Sequence, residues 1–167
     1  MSKDVTTIYL VRHGECVENV LQETNSKDIN KSFGTYGSPL TEKGKEQAHA
    51  VAQVLKDIPF DAIFSSDLIR AQETAEIIAR EHKLDVVTKD TIRERSFGLK
   101  MTKAQRAEID KSVKALNDEE KFAFKYSPDG ESSKDALERF LVFLKEIVPV
   151  YIGKTILVVN HGNIMRS

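Results

Sequence analysis

The sequence predicts an α/β fold, a three-layer α/β/α sandwich with a mostly parallel central sheet. Three short apolar runs rich in β-branched residues have the composition of buried strands, and longer amphipathic segments separate them. Strands that alternate with helices form parallel sheets covered on both faces, because each connection must cross the sheet before the next strand begins. In such sheets, functional side chains gather at the carboxyl ends of the strands.

Each predicted strand ends directly before a polar motif. Residues 6–11 are predicted to form a fully buried strand that leads towards His13. Residues 61–65 and 155–160 are predicted to be central parallel strands, and the second of these runs directly into His161. The motifs are therefore expected to meet at one edge of the sheet.

Apolar residues at helical spacing predict three helices. The first begins near Thr41, the second has Asp67 as its predicted N-cap, and the third stops at Pro149. A charged, helix-prone stretch also covers residues 100–129. The apolar positions of the three helices are Ala48, Val51, Ala52 and Leu55, then Leu68, Ala71, Ala75, Ile78 and Ala79, then Leu137, Phe140, Leu141, Leu144, Ile147 and Val148.

The composition is that of an ordinary globular chain. Of its 167 residues, 40% are hydrophobic and 31% are charged, and the net charge of −1 gives no signal for nucleic-acid binding. No apolar run approaches the ~20 residues that a membrane-spanning helix needs. The N-terminus lacks a secretory signal, so the cytoplasm is the expected compartment. The single cysteine, Cys16, can form no internal disulfide and is interpreted as a bystander.

Two histidines and two arginines at the strand ends predict a pocket for a phosphate group. Arg12 and His13 follow the first strand, Arg70 lies in the first helical turn after the second, and His161 follows the third. An arginine fork can donate paired hydrogen bonds to phosphate oxygens, and a neutral imidazole nitrogen can attack phosphorus. The arginine charges should disfavour the imidazolium form of His13, and Gly14 should let a ligand approach the backbone.

The motifs of metal-dependent and nucleotide-binding phosphoryl transfer are missing from this sequence. It has no aspartate triplet, no Walker-type glycine-rich loop and no His-x-His pair. We therefore expect neither a metal ion nor a cofactor, and we expect a small-molecule phosphate ester as the substrate.

The same residues lie in motifs that resemble the histidine phosphatase superfamily, also called the phosphoglycerate mutase-like superfamily. The first is similar to the family's RHGExxxN motif, the second to its PLTxxGxxQA helix start and the third to its SSDLxRAxxTA segment. The last two resemble its GES element and its second histidine motif, so the resemblance spans nearly the whole chain. The motifs read LVRHGECVEN at 10–19, SPLTEKGKEQA at 38–48, SSDLIRAQETA at 65–75, DGES at 129–132 and VVNHGNIMR at 158–166.

The resemblance implies a phosphoglycerate mutase-like fold and a transient phosphoenzyme. His13 is implied to carry the phosphoryl group, with Arg12, Arg70 and His161 around it. Asn19 is implied to add a hydrogen bond to the same group. Water would then cleave the phosphoenzyme.

Two further residues, Glu94 and Asn163, complete the expected site, and Glu131 has a simpler interpretation. Glu94, in a segment RERSFG that resembles the family's ERxFG, is implied to protonate the leaving alcohol and then to activate water. Asn163 would open the last helix and is expected to donate to a phosphate oxygen. Glu131 precedes a helix, where an acid can simply complement the helix dipole.

The sequence departs from the family pattern in three places. The connection after Asn19 is long and offers Lys27 and Lys31 as contacts to a second anionic group, with ordinary solvated lysines as the alternative. Residues 99–102 replace a short element that ends Glu-Gly in many relatives. Residues 1–167 are predicted to form a single domain that lacks the family's usual C-terminal segment, as in a truncated chain.

The leading functional hypothesis is a metal-independent phosphatase that acts on phosphate monoesters of small metabolites through a phosphohistidine on His13. A cofactor-dependent phosphoglycerate mutase is the alternative. Mutases of this family usually carry a Gly-Trp element and a long basic insertion, whereas this sequence contains no tryptophan. A non-catalytic phospho-ligand binding protein is the second alternative, and the complete set of catalytic candidates argues against it.

Overall fold

The chain folds into the predicted α/β sandwich. The computed structural model describes residues 5–23, 37–98 and 103–166. Within them lie one sheet of four strands and six α-helices. The strands are β1 (Thr7–Arg12), β2 (Ala62–Ser66), β3 (Val86–Lys89) and β4 (Thr155–Asn160). The helices are α1 (Val17–Glu23), α2 (Glu42–Leu55), α3 (Ile69–His82), α4 (Lys103–Lys114), α5 (Asp118–Ala123) and α6 (Ser133–Ile147).

All strands of the sheet run parallel, in the order β1-β4-β2-β3. The two central strands, β4 and β2, consist almost entirely of buried residues. The predictions of a parallel sheet and of two central strands are confirmed. The short β3 was not predicted, because only two of its four residues are apolar. None of the four is buried in the fold.

Helices cover both faces of this sheet. On one face, α2 and α3 pack against Ile63, Leu157 and Val159 of the central strands. On the other face, α6 packs against Phe64 and Val158. Successive side chains of a strand point to opposite faces, so a continuously apolar strand supplies both cores. The predicted three-layer architecture is confirmed.

The first strand differs from its prediction as a fully buried element. Within the described part of the chain, β1 lies at the edge of the sheet and pairs only with β4, and Leu10 is 41% exposed. An apolar, β-branched run indicates a strand, but its neighbours decide whether the strand is central or at an edge. The residues after β1 nevertheless lie at the carboxyl edge of the sheet.

A side-chain cap forms at the start of α2 but not at the start of α3. The predicted start of α2 near Thr41 is confirmed: Thr41 is the N-cap, and its hydroxyl accepts a hydrogen bond from the N–H of Gly44 at 3.0 Å. The prediction that Asp67 caps α3 is wrong: the N-cap is Leu68, without a side-chain hydrogen bond. The Asp67 carboxylate instead accepts hydrogen bonds from the guanidinium of Arg93. A charge-assisted bond to a distant segment replaces the weaker local cap.

The remaining predictions concern segments beside the sandwich. The charged stretch at 100–129 contains α4 and α5, in agreement with its helix-prone composition. Lys27, Lys31 and residues 99–102 lie outside the described residues. None of the helices that the structure describes is long and apolar enough to cross a membrane.

Candidate active site

The carboxyl edge of the sheet brings His13, His161 and Arg70 together. His13 follows β1, and its backbone N–H donates to the carbonyl of Asn160 in β4 at 3.1 Å. His161 follows β4, and the centroids of the two imidazole rings are 5.1 Å apart. Arg70 lies in the first turn of α3, and its Nε donates to His13 Nε2 over 3.2 Å. Three separate chain segments therefore meet at one imidazole.

The hydrogen bonds of His13 define which ring nitrogen can react. Its Nδ1 lies 2.7 Å from the carbonyl oxygen of Gly14, and a carbonyl can only accept, so Nδ1 carries the proton. The other nitrogen, Nε2, accepts from Arg70 and therefore holds a lone pair. An imidazole held in this tautomer has its nucleophilic nitrogen directed towards the arginine.

Burial keeps the His13 ring neutral. Desolvation is the main cause that lowers the pKa of His13 to about 4, the charges of Arg70 and Arg12 lower it further, and the hydrogen bond to Gly14 opposes the shift. The expectation that the arginines disfavour imidazolium has the right sign, but burial is the larger cause. His13 is therefore unprotonated at neutral pH.

His161 lies beneath the site rather than at its surface. It is fully buried, and within the described residues neither of its ring nitrogens has a hydrogen-bond partner. Burial, followed by the charges of Arg70, His13, Arg12 and Arg139, lowers its pKa to about 2. His161 is thus a second neutral imidazole packed against the first.

A cavity of about 530 Å³ opens over His13. His161 does not line this cavity, because it is shielded by the residues above it. The residues expected to contact a substrate lie on three sides of the opening. Those that line it are Arg12, His13, Asn19, Arg70, Glu94 and Asn163.

The Arg70 guanidinium is held by its surroundings. Arg70 is buried, and its Nη1 lies 3.7 Å from a carboxylate oxygen of Glu18, whose side chain also lines the cavity. Gly37 has a φ of +78°, and a Cβ there would lie 2.5 Å from Arg70 Nη1. Glycine at this turn therefore meets two requirements, a left-handed backbone and space for the guanidinium.

Asn19 is oriented by the turn that begins α1. Its Oδ1 accepts hydrogen bonds from the N–H and from the thiol of Cys16, both at 3.1 Å. With the amide oxygen engaged, the NH₂ group is the part of Asn19 suited to an anion. The buried Cys16 thereby contributes to the local structure around Asn19.

Glu94 also lines the cavity, from a segment of irregular backbone at residues 93–98. One of its carboxylate oxygens accepts from the N–H of Arg95 at 2.8 Å. The Arg95 guanidinium donates to the carbonyls of Glu131 and Phe124 at 2.9 and 2.7 Å and contacts the ring of Phe97. Side-chain bonds thus attach this segment to the rest of the molecule.

The ion pairs around Glu94 are not predicted by the sequence motifs. Arg93 pairs with Asp67, and Arg139 of α6 forms a two-pronged pair with Glu131. Glu131 therefore does more than precede a helix, which is the simple interpretation of its position. The only sequence signal for these pairs is the high density of opposite charges, which does not say which partners meet.

Glycine at position 14 is required by backbone packing as well as by the expected approach of a ligand. A Cβ at Gly14 would lie 2.4 Å from the carbonyl oxygen of Gly44, and one at Gly44 would lie 2.0 Å from the carbonyl oxygen of Glu15. The missing side chains allow the start of α2 to approach the backbone after β1. Close packing of two backbone segments therefore requires glycine at position 14, and access for a ligand there stays a prediction.

Comparisons with known proteins found similar sequences and similar folds. The chain is 32% identical to 2,3-bisphosphoglycerate-dependent phosphoglycerate mutase 2 of Gloeobacter violaceus, over 96% of this chain and 72% of the relative. It is 31% identical to the uncharacterised phosphatase PhoE of Bacillus subtilis, over 95% of this chain and 72% of that one. Among solved structures, Bacillus stearothermophilus YhfR matches with a TM-score of 0.75 and 31% identity, over 96% of this chain and 76% of YhfR.

A family model covers almost the same span. The model for the histidine phosphatase superfamily (branch 1) matches residues 8–167, which include every residue of the candidate site. With this match, the two curated relatives and the shared fold, the chain belongs to the histidine phosphatase superfamily.

Proposed function

We propose that this protein is a phosphatase that hydrolyses phosphate monoesters of small metabolites through a phosphohistidine at His13. The observation that carries the proposal is the state of His13. Its ring is neutral at pH 7, and the Nε2 lone pair points to Arg70 in an arginine-lined cavity. A nucleophile for phosphorus needs a lone pair, and the anionic substrate needs the positive charge beside it.

In the proposed first step, Nε2 attacks phosphorus and the ester P–O bond breaks, with its electron pair staying on the leaving oxygen. We assign the proton for that oxygen to Glu94, whose side chain lines the same cavity. Arg70 would exchange its bond to Nε2 for one to a phosphate oxygen. Donors from Arg12, Asn19 and Asn163 would hold the other oxygens.

In the proposed second step, water attacks the phosphohistidine and the N–P bond breaks, which returns the electron pair to Nε2. Glu94, now ionised, would accept the proton of that water. We assign His161 a hydrogen bond to the transferred phosphoryl group, because its ring lies beside His13 and its nitrogens have no partner in the described structure. This assignment requires the buried ring to become accessible when the group is bound. Inorganic phosphate then leaves.

We expect this reaction to need no metal ion. The guanidinium groups of Arg12 and Arg70 can supply the positive charge that stabilises the transferred phosphoryl group. Turnover that is unchanged by EDTA is the expected result. Turnover that EDTA abolishes and a divalent cation restores would contradict this part of the proposal.

A cofactor-dependent phosphoglycerate mutase is the second candidate, and it is favoured by the relative from Gloeobacter violaceus that bears this name. Both activities begin with phosphorylation of His13. They differ in the acceptor, which is water for a phosphatase and a bound phosphoglycerate for a mutase. The absence of tryptophan, and hence of the mutases' usual Gly-Trp element, supports the phosphatase.

The deciding experiment tests a panel of phosphate monoesters, and also 3-phosphoglycerate supplied with a bisphosphoglycerate primer. Release of inorganic phosphate and formation of 2-phosphoglycerate are both measured. We expect phosphate release, its loss in His13→Ala, and radiolabelled phosphate trapped on His13. The exposed His49 provides the matched control, His49→Ala, which should keep full activity. Phosphate release that survives in His13→Ala would overturn the proposal. Mutase turnover without release would establish the second candidate, and phosphate binding without turnover would establish a non-catalytic protein.

A further inference from the structure

Glu94, on the acid side of the cavity, lies outside regular secondary structure, whereas His13, on the nucleophile side, directly follows a strand. Residues 93–98 form neither helix nor strand, so no regular backbone ladder holds Glu94 in place. General acid catalysis requires the proton donor to lie within hydrogen-bond distance of the leaving oxygen. Something other than secondary structure must therefore set the position of this carboxyl group.

Arg139 of α6 donates to the backbone on the N-terminal side of this segment. Its Nη1 donates to the carbonyls of Thr91 and Arg93, each at 3.0 Å, and its Nη2 lies 3.5 Å from the carbonyl of Glu94. A planar guanidinium can hold several carbonyls at fixed angles, which a lysine ammonium cannot do. The Glu94 backbone is thereby tied to a long, well-packed helix.

Glu131 holds the C-terminal side of the same segment. Its carboxylate accepts from the N–H of Ser96 at 2.9 Å, and its own N–H donates to the carbonyl of Ser96 at 2.7 Å. Both oxygens also accept from Arg139, each at 2.9 Å. Burial alone would raise the pKa of Glu131, but the hydrogen bonds from Arg139 and Ser96 outweigh it and keep the pKa below its ordinary value.

We propose that the Arg139–Glu131 pair is the positioning device for Glu94, and that it sets proton delivery to the leaving group rather than phosphoryl binding. This inference rests on the proposed function. The pair spans Glu94, because Arg139 binds the carbonyls before it and Glu131 binds Ser96 after it. Neither residue lines the cavity, so neither contacts the substrate directly. A shift of the segment would move the carboxyl group while the nucleophile side stays in place.

The test compares two substrates that differ in their need for an acid. The p-nitrophenolate ion leaves without a proton, whereas the alkoxide of glycerol 2-phosphate must be protonated as it leaves. For Arg139→Lys we expect kcat/KM to fall by about 10- to 100-fold with glycerol 2-phosphate and by less than about threefold with p-nitrophenyl phosphate. Because kcat/KM reports only the steps up to departure of the leaving group, slow hydrolysis of the phosphoenzyme does not disturb it.

Two further variants make the result decisive. Glu94→Gln should show the same substrate split, that is, a much larger fall in kcat/KM with glycerol 2-phosphate than with p-nitrophenyl phosphate. The double variant Arg139→Lys/Glu94→Gln should lose little more kcat/KM than Glu94→Gln alone, because both changes disable the same acid. Glu131→Gln keeps the size of the side chain and provides the test if Arg139→Lys fails to fold. An equal fall with both substrates, or independent losses in the double variant, would overturn the proposal.

The control is a pair of similar chemistry at the other end of the sheet. Asp61 accepts from Lys154 Nζ and from the N–H of Thr155, both at 2.9 Å, near the start of β4. Asp61→Asn should reduce stability without any substrate split. The proposed function is judged separately by His13→Ala: activity that survives in that variant refutes the phosphohistidine, whereas an absent split with His13-dependent activity refutes only the positioning role.

Discussion

The two sides of the cavity are built in different ways. The strand-end wall, made of His13 and Arg70 with the buried His161 beneath them, stands on residues that directly follow strands or open a helix. The loop wall, made of residues 93–98 with Glu94, is irregular backbone attached by arginine and carboxylate side chains. The first wall takes its geometry from the sheet, and the second takes it from pairs of charges.

This difference has a physical consequence for each wall. The strand-end wall is buried and close-packed, so a methyl group added at Gly14 must displace backbone. The loop wall depends on bonds that are partly open to solvent, where a single ion pair contributes little. Changes to the strand-end wall should therefore be costly, and changes to the loop wall should be graded and selective.

The largest expected effect comes from the strand-end wall at Arg70. Arg70→Gln removes the donor to His13 Nε2 and one of the charges beside the phosphoryl site. We expect kcat/KM to fall by about 10²- to 10³-fold, the usual cost of losing one preorganised donor. Steady-state kinetics with p-nitrophenyl phosphate provide the measurement. The exposed Arg80 of the same helix supplies the control, Arg80→Gln, and equal activity of the two variants would refute the role of Arg70.

Overpacking of the same wall should reduce stability. In Gly14→Ala the new Cβ would meet the Gly44 carbonyl oxygen at 2.4 Å, so the start of α2 must move. We expect a loss of about 1 to 3 kcal/mol in the free energy of unfolding, measured by urea denaturation. At Gly162 the nearest atom to an added Cβ is Arg12 Nε at 3.4 Å, so Gly162→Ala is the milder control. Equal stability of the two variants would contradict this account.

The buried histidines should make stability depend on pH. In the folded state the pKa of His13 is about 4 and that of His161 about 2, whereas both are about 6.5 in the unfolded chain. The unfolded state therefore binds more protons below pH 6.5. The contribution of the two neutral histidines to the free energy of unfolding is therefore complete above pH 6.5. It is lost as the pH falls, down to about 4 for His13 and about 2 for His161.

His161→Asn isolates one of these contributions. The slope of unfolding free energy against pH between about 4.5 and 6 should decrease by about 1.4 kcal/mol per pH unit, the value for one proton. Urea denaturation at several pH values provides the slope, and His49→Asn at the exposed His49 is the control for replacement of a histidine outside the site. An unchanged slope in His161→Asn would mean that His161 is protonated in the folded protein.

The smallest expected effect comes from the loop wall. Asp67→Asn weakens the pair with Arg93 at one end of the segment, and the Arg139–Glu131 pair remains. We expect stability to change by at most ~1 kcal/mol and kcat/KM with an alkyl phosphate to fall by about three- to tenfold. The pair between Lys89 and Glu146 provides the control, Glu146→Gln. A loss as large as that of Arg70→Gln would show that both walls are equally rigid.

Local patterns were sufficient to predict much of the strand-end wall. Apolar, β-branched runs predicted the three strands that lead to the site, although β1 lies at the edge rather than inside the sheet. Parallel strands bring their carboxyl ends to one edge, so residues that are distant in sequence but follow such runs must meet. The meeting of Arg12, His13 and His161 at that edge follows from this rule.

Contacts between distant side chains could not be predicted in the same way. Asp67 has the position of a helix cap but pairs with Arg93, and nothing in the sequence shows that Gly14 packs against the backbone of Gly44. In a chain with 31% charged residues, many pairings are compatible with the sequence. The distances that select one of them exist only after folding.

The sequence by itself determined the fold class, the edge of the sheet where the site lies and the kinds of side chain gathered there. These depend on residue type and on spacing along the chain, which a pattern of apolar and polar residues contains. Only the tertiary structure decided that His13 is neutral mainly through burial, that His161 lies beneath it, and that Glu94 is held between Arg139 and Glu131. Desolvation and hydrogen-bond geometry depend on atoms brought together from distant parts of the chain, so they arise only when the chain is folded.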